Sequence, residues 1–172
     1  MFGHRDAGHG RFFADQSYHF QTLRALNDIA AYEADTSEIL EAIKHIHAGD
    51  AQGWFRAWSQ AGDWVAARAR ATADHIATDR ALLRAHNYYR TAEFFLPPND
   101  PNRPASAEKN MWWLYAGLDT LGVAYERIRA PYGTAHHLET VYYPAVCKDS
   151  DTPKFVLGCS VVDQVNRLFD LL

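Results

Sequence analysis

The chain is expected to be mainly α, a helical domain followed by a short β segment, and three features of the sequence lead there. Apolar residues recur at steps of three and four from residue 16 to about residue 121, which keeps them on one face of a helix with 3.6 residues per turn. Aspartates and a serine stand where helices would start, and a proline pair and glycines stand where they would stop. After residue 122 the period changes, and β-branched and aromatic residues gather in short runs.

Residues 1–14, rich in Gly and His, are expected to be irregular. The first helix is expected from Gln16 to about Ala34, with Phe20, Leu23, Leu26, Ala30 and, less regularly, Ile29 as its apolar face. Asp35 opens the second: it can cap, and Glu38, three residues on, can reach back to it as in a capping box. Ile39, Ile43 and Ile46 form its stripe, which ends near Gly49. Asp50 begins a long third segment in which Trp54, Trp58, Ala61, Val65, Ala69 and Ile76 trace one face. The alanines between residues 66 and 73 favour helix and permit close packing.

A fourth helix is expected from Asp79 to Leu96. Pro97 and Pro98 stop it, because proline has no backbone donor and disfavours helix before it. Asn99 to Pro104 then reads as a rigid loop, and Ser106 as the cap of a fifth helix through Trp112, Trp113, Leu114, Leu118 and Leu121, with Gly122 near its end. Val123–Ile128 and Leu138–Tyr143, separated by Pro131-Tyr132-Gly133, are expected to pair antiparallel. Lys154–Gly158 reads as a short buried strand, and the last dozen residues as a helix through Val161, Val165, Leu168 and Leu172. The expected division is therefore 1–14 irregular, 15–122 helical and 123–172 the β-containing part. No internal repeat signals a solenoid.

A chain of 172 residues with 48% hydrophobic and 22% charged side chains can bury a real core, and it does not have the composition of a disordered segment. A net charge of −4 and a pI near 6.1 give no clustered basic surface, so nucleic acid is not an expected partner. The start Met1-Phe2-Gly3-His4-Arg5-Asp6 carries charge where a signal peptide would be apolar. No run reaches the ~18 apolar residues of a membrane span, so no membrane partner is expected and the cytoplasm is the expected location. Cys147 and Cys159 are expected to be free thiols in a reducing compartment. His45 and His47, two apart on a helix, point to different sides, and His136 and His137 in a strand would face opposite surfaces. Neither pair has the spacing of metal ligands, and no metal or cofactor is expected.

The richest segment is His86-Asn87-Tyr88-Tyr89-Arg90-Thr91-Ala92-Glu93-Phe94-Phe95-Leu96, closed by Pro97-Pro98-Asn99-Asp100-Pro101. At 100° per residue it places His86, Tyr89, Arg90 and Glu93 in one stripe, with Tyr88, Ala92 and Phe95 opposite. That stripe is either part of a pocket wall or a set of structural pairs, His86 with Arg90 and Arg90 with Glu93, along one helix surface. Tyr18, His19, Tyr89 and Glu93 are pocket candidates because buried polar groups require partners. Trp54, Trp58, Trp64, Trp112 and Trp113 could line an aromatic site, but their spacing points first to the core.

This segment, with the turn at Asp100-Pro101 and Arg103, resembles the end of the helical cap domain in a group of α/β-hydrolases. The group includes the 2,6-dihydroxypseudooxynicotine hydrolase type of carbon–carbon bond hydrolase, the fermentation-respiration switch protein and hydrolases of fungal polyketide clusters. Arg11-Phe12-Phe13-Ala14-Asp15 and Tyr18-His19-Phe20-Gln21-Thr22-Leu23-Arg24 resemble the opening of the same cap, and the resemblance runs from about residue 11 to Pro144. It implies that 15–122 is a cap, or lid, and that 123–172 begins an α/β-hydrolase sheet. It also implies that Tyr89, Arg90 and Glu93 orient a substrate carbonyl or phenol.

Such an enzyme needs a serine on a sharp strand-to-helix turn, followed later by an acid and a histidine. Gly158-Cys159-Ser160-Val161-Val162 comes after an expected strand but fails at Val162, where a small residue belongs, and no histidine stands downstream of Ser160. Ser160 is therefore not expected to be a nucleophile. No catalytic residue is assigned, and the triad is expected beyond Leu172. The family's strand before the oxyanion-hole loop is matched loosely by Phe155-Val156-Leu157-Gly158, and the residues after Gly158 depart from the Gly-rich, acidic turn of the family.

The expected function is thus the cap and first strands of a hydrolase acting on ketone-bearing or polyketide-like small molecules, inactive by itself. An aromatic or polyketide-like ligand is expected to meet Tyr18, His19, Tyr89, Arg90 and Glu93. A second reading, from another class, is a non-catalytic helical binding protein or hydrolase remnant, associating with its own kind through the helices or an exposed sheet edge.

Overall fold

The computed structural model describes residues 10–31, 33–71, 75–132, 136–144 and 155–159. In chain order the elements are α1 (Gln16–Asn27), α2 (Thr36–Ile43), α3 (Ala51–Ala71), α4 (His75–Ala92), α5 (Asn102–Thr120), β1 (Glu126–Tyr132), β2 (His136–Pro144) and β3 (Phe155–Cys159). Tight 3-10 turns, Asp28–Ala31 and Glu93–Phe95, follow α1 and α4. The protein is mainly α, with helices followed by a β segment, as the hydrophobic period predicts. The chain divides into two compact units, Met1–Gly117 and Leu118–Leu172.

Aspartates start α1, α2, α3 and α5. Asp15 accepts from the amides of Ser17 and Tyr18 at 2.9 and 3.1 Å, and Asp35 from those of Ser37 and Glu38 at 2.8 and 3.2 Å. Asp50 takes the Gly53 amide at 2.7 Å, and Asp100 the Asn102 amide at 2.9 Å. Each such cap stabilises its helix by about 1 kcal/mol by satisfying a donor that has no partner within the helix.

The last of these corrects an expectation: α5 begins at Asn102, not at Ser106. Pro104 falls in its first turn, where a missing amide hydrogen costs nothing. Ser106 is buried instead, its hydroxyl donating to the Tyr89 carbonyl at 3.2 Å. Helix α4 starts at His75, earlier than expected, and its α-helical part ends at Ala92.

The face of α1 also differs from the one expected. Tyr18, Gln21, Thr22 and Ala25 are its buried residues, whereas Phe20 and Leu23 are 60% and 44% exposed. Two apolar stripes compete on this short helix, and the one carrying Tyr18 packs inward because Phe13, Trp54 and Phe95 surround that ring. Ile39 and Ile43 of α2 are buried as read, whereas the helix ends at Ile43 and Ile46, also buried, lies beyond it rather than on its stripe.

Helix α3 packs most extensively against α4. Trp54, Trp58, Val65 and Ala69 form its inner face, and Trp54 and Trp58 have no exposed surface. Burying such rings removes some 150–250 Å² each from water, the largest contribution a core side chain can make. Gly62 permits a close approach, since a Cβ there would stand 3.0 Å from the Tyr89 ring. Trp113 is buried, but Trp64 and Trp112 are 50% and 65% exposed, so the core reading fails for those two. Arg68 stacks over the Trp64 ring at 4.7 Å.

In the second unit, Gly122 at φ +65° ends α5 in the left-handed conformation, and the Val123 amide returns to the Leu118 carbonyl at 3.0 Å. The strands form one antiparallel sheet in the order β1-β2-β3. Glu126 pairs with Tyr142 and Tyr132 with His136, while Thr140 pairs with Cys159 and Pro144 with Phe155. The expected antiparallel pair is present, but Pro131 and Tyr132 lie inside β1 rather than in the turn. Proline is tolerated there because, among the described residues, β1 is an edge strand. Ser160, Cys147 and the expected terminal helix lie outside the described residues.

Candidate functional site

Helix α4 meets a different neighbour on each side. The Tyr88 ring has no exposed surface, and its hydroxyl donates to Glu38 Oε2 at 2.6 Å while accepting from the Asp35 amide at 3.0 Å. Arg84, one turn earlier, closes a two-point pair on the same carboxylate, Nε to Oε2 at 2.9 Å and Nη2 to Oε1 at 3.2 Å. This corrects the expected capping box. Glu38 is engaged by α4, and the amide it was expected to satisfy is satisfied by a phenol 53 residues away in sequence. Burial first, then the hydrogen bond to Glu38, pushes the Tyr88 phenol far above its usual range, so it stays protonated.

Most other polar side chains of the segment are likewise committed. His86 Nδ1 lies 3.1 Å from the Asn110 carbonyl, which fixes the proton on that nitrogen. Burial lowers its pKa to about 4, and nearby Arg90 acts in the same direction, so the ring is neutral at neutral pH. Asn87 donates to Asp28 at 3.1 Å and to the Glu33 carbonyl at 3.0 Å. Arg90 reaches the same Asp28 at 3.4 Å. The ion pair that Arg90 forms is therefore with the turn after α1, not with Glu93 along its own helix.

Tyr89 is buried and donates to Asp63, with Lys109 Nζ 5.0 Å above its ring. Glu93 is buried, and its backbone carbonyl shares the Arg103 guanidinium with that of Leu96, each at 3.0 Å. Arg103 thus satisfies carbonyls that the end of α4 leaves without helical partners.

Tyr18 stacks on Phe95 at 4.1 Å with 8° between the planes and meets Trp54 edge-on at 5.3 Å. The Trp54 indole in turn donates to the Thr91 carbonyl at 2.7 Å. Beside this stack the surface opens into a groove of about 530 Å³, whose lining includes Arg11, His19, Phe20, Leu23, Phe94 and Phe95. Of the five residues read as ligand contacts, His19 lines this groove and Tyr18 reaches it through Phe95. Tyr89 and Arg90 are turned to other partners, α3 and the Asp28–Ala31 turn.

Arg11, Phe20, Leu23 and Phe94 were not singled out as ligand contacts from the sequence. The available signal was the second apolar stripe of α1, which has no place in the core. Another hollow of similar volume lies between α2 and α3, where Glu38, Glu41, His45 and Trp64 are among the lining residues. Among the described residues no three His, Cys, Asp or Glu side chains gather as a metal site requires, and no helix is long and apolar enough to cross a membrane.

Fold and groove together define a mainly helical domain with an aromatic surface cleft, followed by an antiparallel β segment. By sequence the chain groups with hydrolases of fungal origin, among them an alpha/beta hydrolase. It is 34% identical to the hydrolase acrC of Aspergillus aculeatus over 128 residues, 71% of this chain and 30% of the relative. It is 30% identical to the 20-hydroxy-prefusarin hydrolase FUS2 of Gibberella moniliformis over 127 residues, with the same two shares. The alpha/beta hydrolase psoB of Aspergillus fumigatus is 34% identical over 90 residues, 50% of this chain and 20% of the relative. The chain spans about 30% of the length of the first two. No family model matches it.

Proposed function

We propose that this chain supplies the helical lid and the opening strands of an α/β-hydrolase that acts on a small aromatic or polyketide-like molecule of secondary metabolism. The observation that carries this reading is the 34% identity to a hydrolase across 71% of the chain. The order of elements, helices and then an antiparallel segment, supports it. In this reading residues 15–122 are the lid and 123–172 the start of the catalytic sheet. The nucleophile, acid and histidine belong to the larger part of the hydrolase that the chain does not match, and the chain alone is inactive.

A lid contributes walls and excludes water, while serine chemistry is done beneath it. The groove between α1 and the Glu93–Phe95 turn is the wall, with His19 as a direct contact and Tyr18 supporting Phe95. Tyr89, Arg90 and Glu93 serve by holding the end of α4, and so the Phe94 and Phe95 rings, in place.

Incubating the purified chain with a chromogenic ester and a serine-directed fluorophosphonate is expected to give neither turnover nor labelling. Labelling of Ser160 overturns the assignment. A rise in melting temperature with an aromatic ketone is the positive sign of a working wall.

A further inference from the structure

The α1 groove is lined by donors whose direction the structure fixes at His19. The Phe12 amide donates to His19 Nδ1 at 3.2 Å. A backbone N–H can only donate, so the Nδ1 lone pair is occupied and the neutral imidazole carries its hydrogen on Nε2. No acceptor among the described residues takes that hydrogen. Arg11 lines the same groove and adds a permanently charged donor.

None of the lining side chains is acidic. The hollow between α2 and α3 differs on this point, since Glu38 and Glu41 line it. The rest of the α1 groove mixes neutral polar side chains, Gln16, Ser17 and Gln21, with the apolar Phe20, Leu23, Phe94 and Phe95. Phe20 is 60% and Phe94 42% exposed, and Phe94 stands edge-on to Phe95 at 5.0 Å, itself fixed by the Tyr18 stack. A groove that offers a donating imidazole N–H, a guanidinium and exposed phenyl rings, with no carboxylate among its walls, suits a ligand with a flat ring and an anionic acceptor oxygen.

We propose that this groove binds an aromatic ligand bearing a carboxylate, phenolate or enolate oxygen, which the Nε2–H of His19 and the Arg11 guanidinium receive while Phe20 and Phe94 flank the ring. The proposal rests on the lid reading and gives that lid its substrate class. A charge-assisted hydrogen bond contributes roughly 1.5–3 kcal/mol, which is about tenfold or more in affinity.

The test is fluorescence titration of the chain with three probes of one shape: naphthoate, methylnaphthalene and naphthylmethylamine. Naphthoate is expected to bind about tenfold tighter than the other two, and His19→Phe or Arg11→Gln to remove most of that preference. Arg11 is exposed, so its substitution leaves the fold intact. Phe94→Ala should weaken all three probes. Equal affinity for naphthoate and methylnaphthalene, with Phe94→Ala weakening both, overturns the acceptor-oxygen inference and leaves the wall standing. A naphthoate preference untouched by His19→Phe and Arg11→Gln overturns it as well. No binding by any probe, or binding indifferent to Phe94→Ala, overturns the inference and the wall together.

Discussion

Tyr88 and Tyr89 are adjacent, both have rings buried to within 1% of full burial, and both hydroxyls donate to a carboxylate, yet they hold the helices together in different ways. The acceptor of Tyr88 is Glu38, whose side chain is 11% exposed and already gripped by Arg84, itself 21% exposed. The acceptor of Tyr89 is Asp63, 61% exposed, with Lys109 beside it at 51%. Water can replace a lost partner at Asp63 but not readily at Glu38. An unsatisfied group is costly where it stays dry and nearly neutral where solvent returns. The α4–α2 contact is therefore a fixed link, and the polar end of the α4–α3 contact an adaptable one.

The strongest way to break that contrast is Glu38→Gln, which leaves the Arg84 guanidinium facing an uncharged partner. A loss of about 3 kcal/mol in urea unfolding is expected, as when one partner of a buried ion pair is removed. A loss below about 1 kcal/mol would show that the link is not fixed.

Acid probes the same helix through His86. Its folded pKa of about 4 lies below the ordinary 6.5 because burial disfavours the charged ring. As pH falls below 6.5 the unfolded chain takes up the proton first, so stability present above 6.5 declines until the folded ring also protonates near pH 4. The expected loss is up to about 3 kcal/mol. Unfolding free energy measured against pH should flatten over this window in a His86→Gln variant.

Removing one hydrogen-bonding group at a time sharpens the comparison. Tyr88→Phe leaves the Asp35 amide and Glu38 each short of a partner, and should cost about 1–2 kcal/mol in the same unfolding assay. Asp63→Ala, at the exposed end, should cost less than about 0.5 kcal/mol. Thermal unfolding that ranks the two in the reverse order would contradict the account.

The signature from His86 to Arg103 was legible as the most informative segment, but the sequence left open whether it lined a pocket or held helices. The described contacts give most of its polar side chains a helix to hold: Asn87 and Arg90 to Asp28, Tyr88 to Glu38, and Arg103 to the carbonyls of Glu93 and Leu96. The groove was harder to see. Phe20 and Leu23 obey helical spacing as well as Tyr18 and Thr22 do, and periodicity does not say which of two stripes a helix will bury. The capping box failed for a related reason: Glu38 had a local use that spacing could show, and a better one across 46 residues that it could not.

What the sequence determined by itself was local. Hydrophobic period, aspartate caps, the proline pair and the β-prone runs are satisfied within one or two turns of chain, so they specified five helices followed by an antiparallel pair. The tertiary structure alone decided which face of α1 turned outward, which carboxylate met which arginine, and that the Phe12 amide takes His19 Nδ1. Those choices depend on distances between residues far apart in sequence, and a buried polar group takes the partner that burial brings to it.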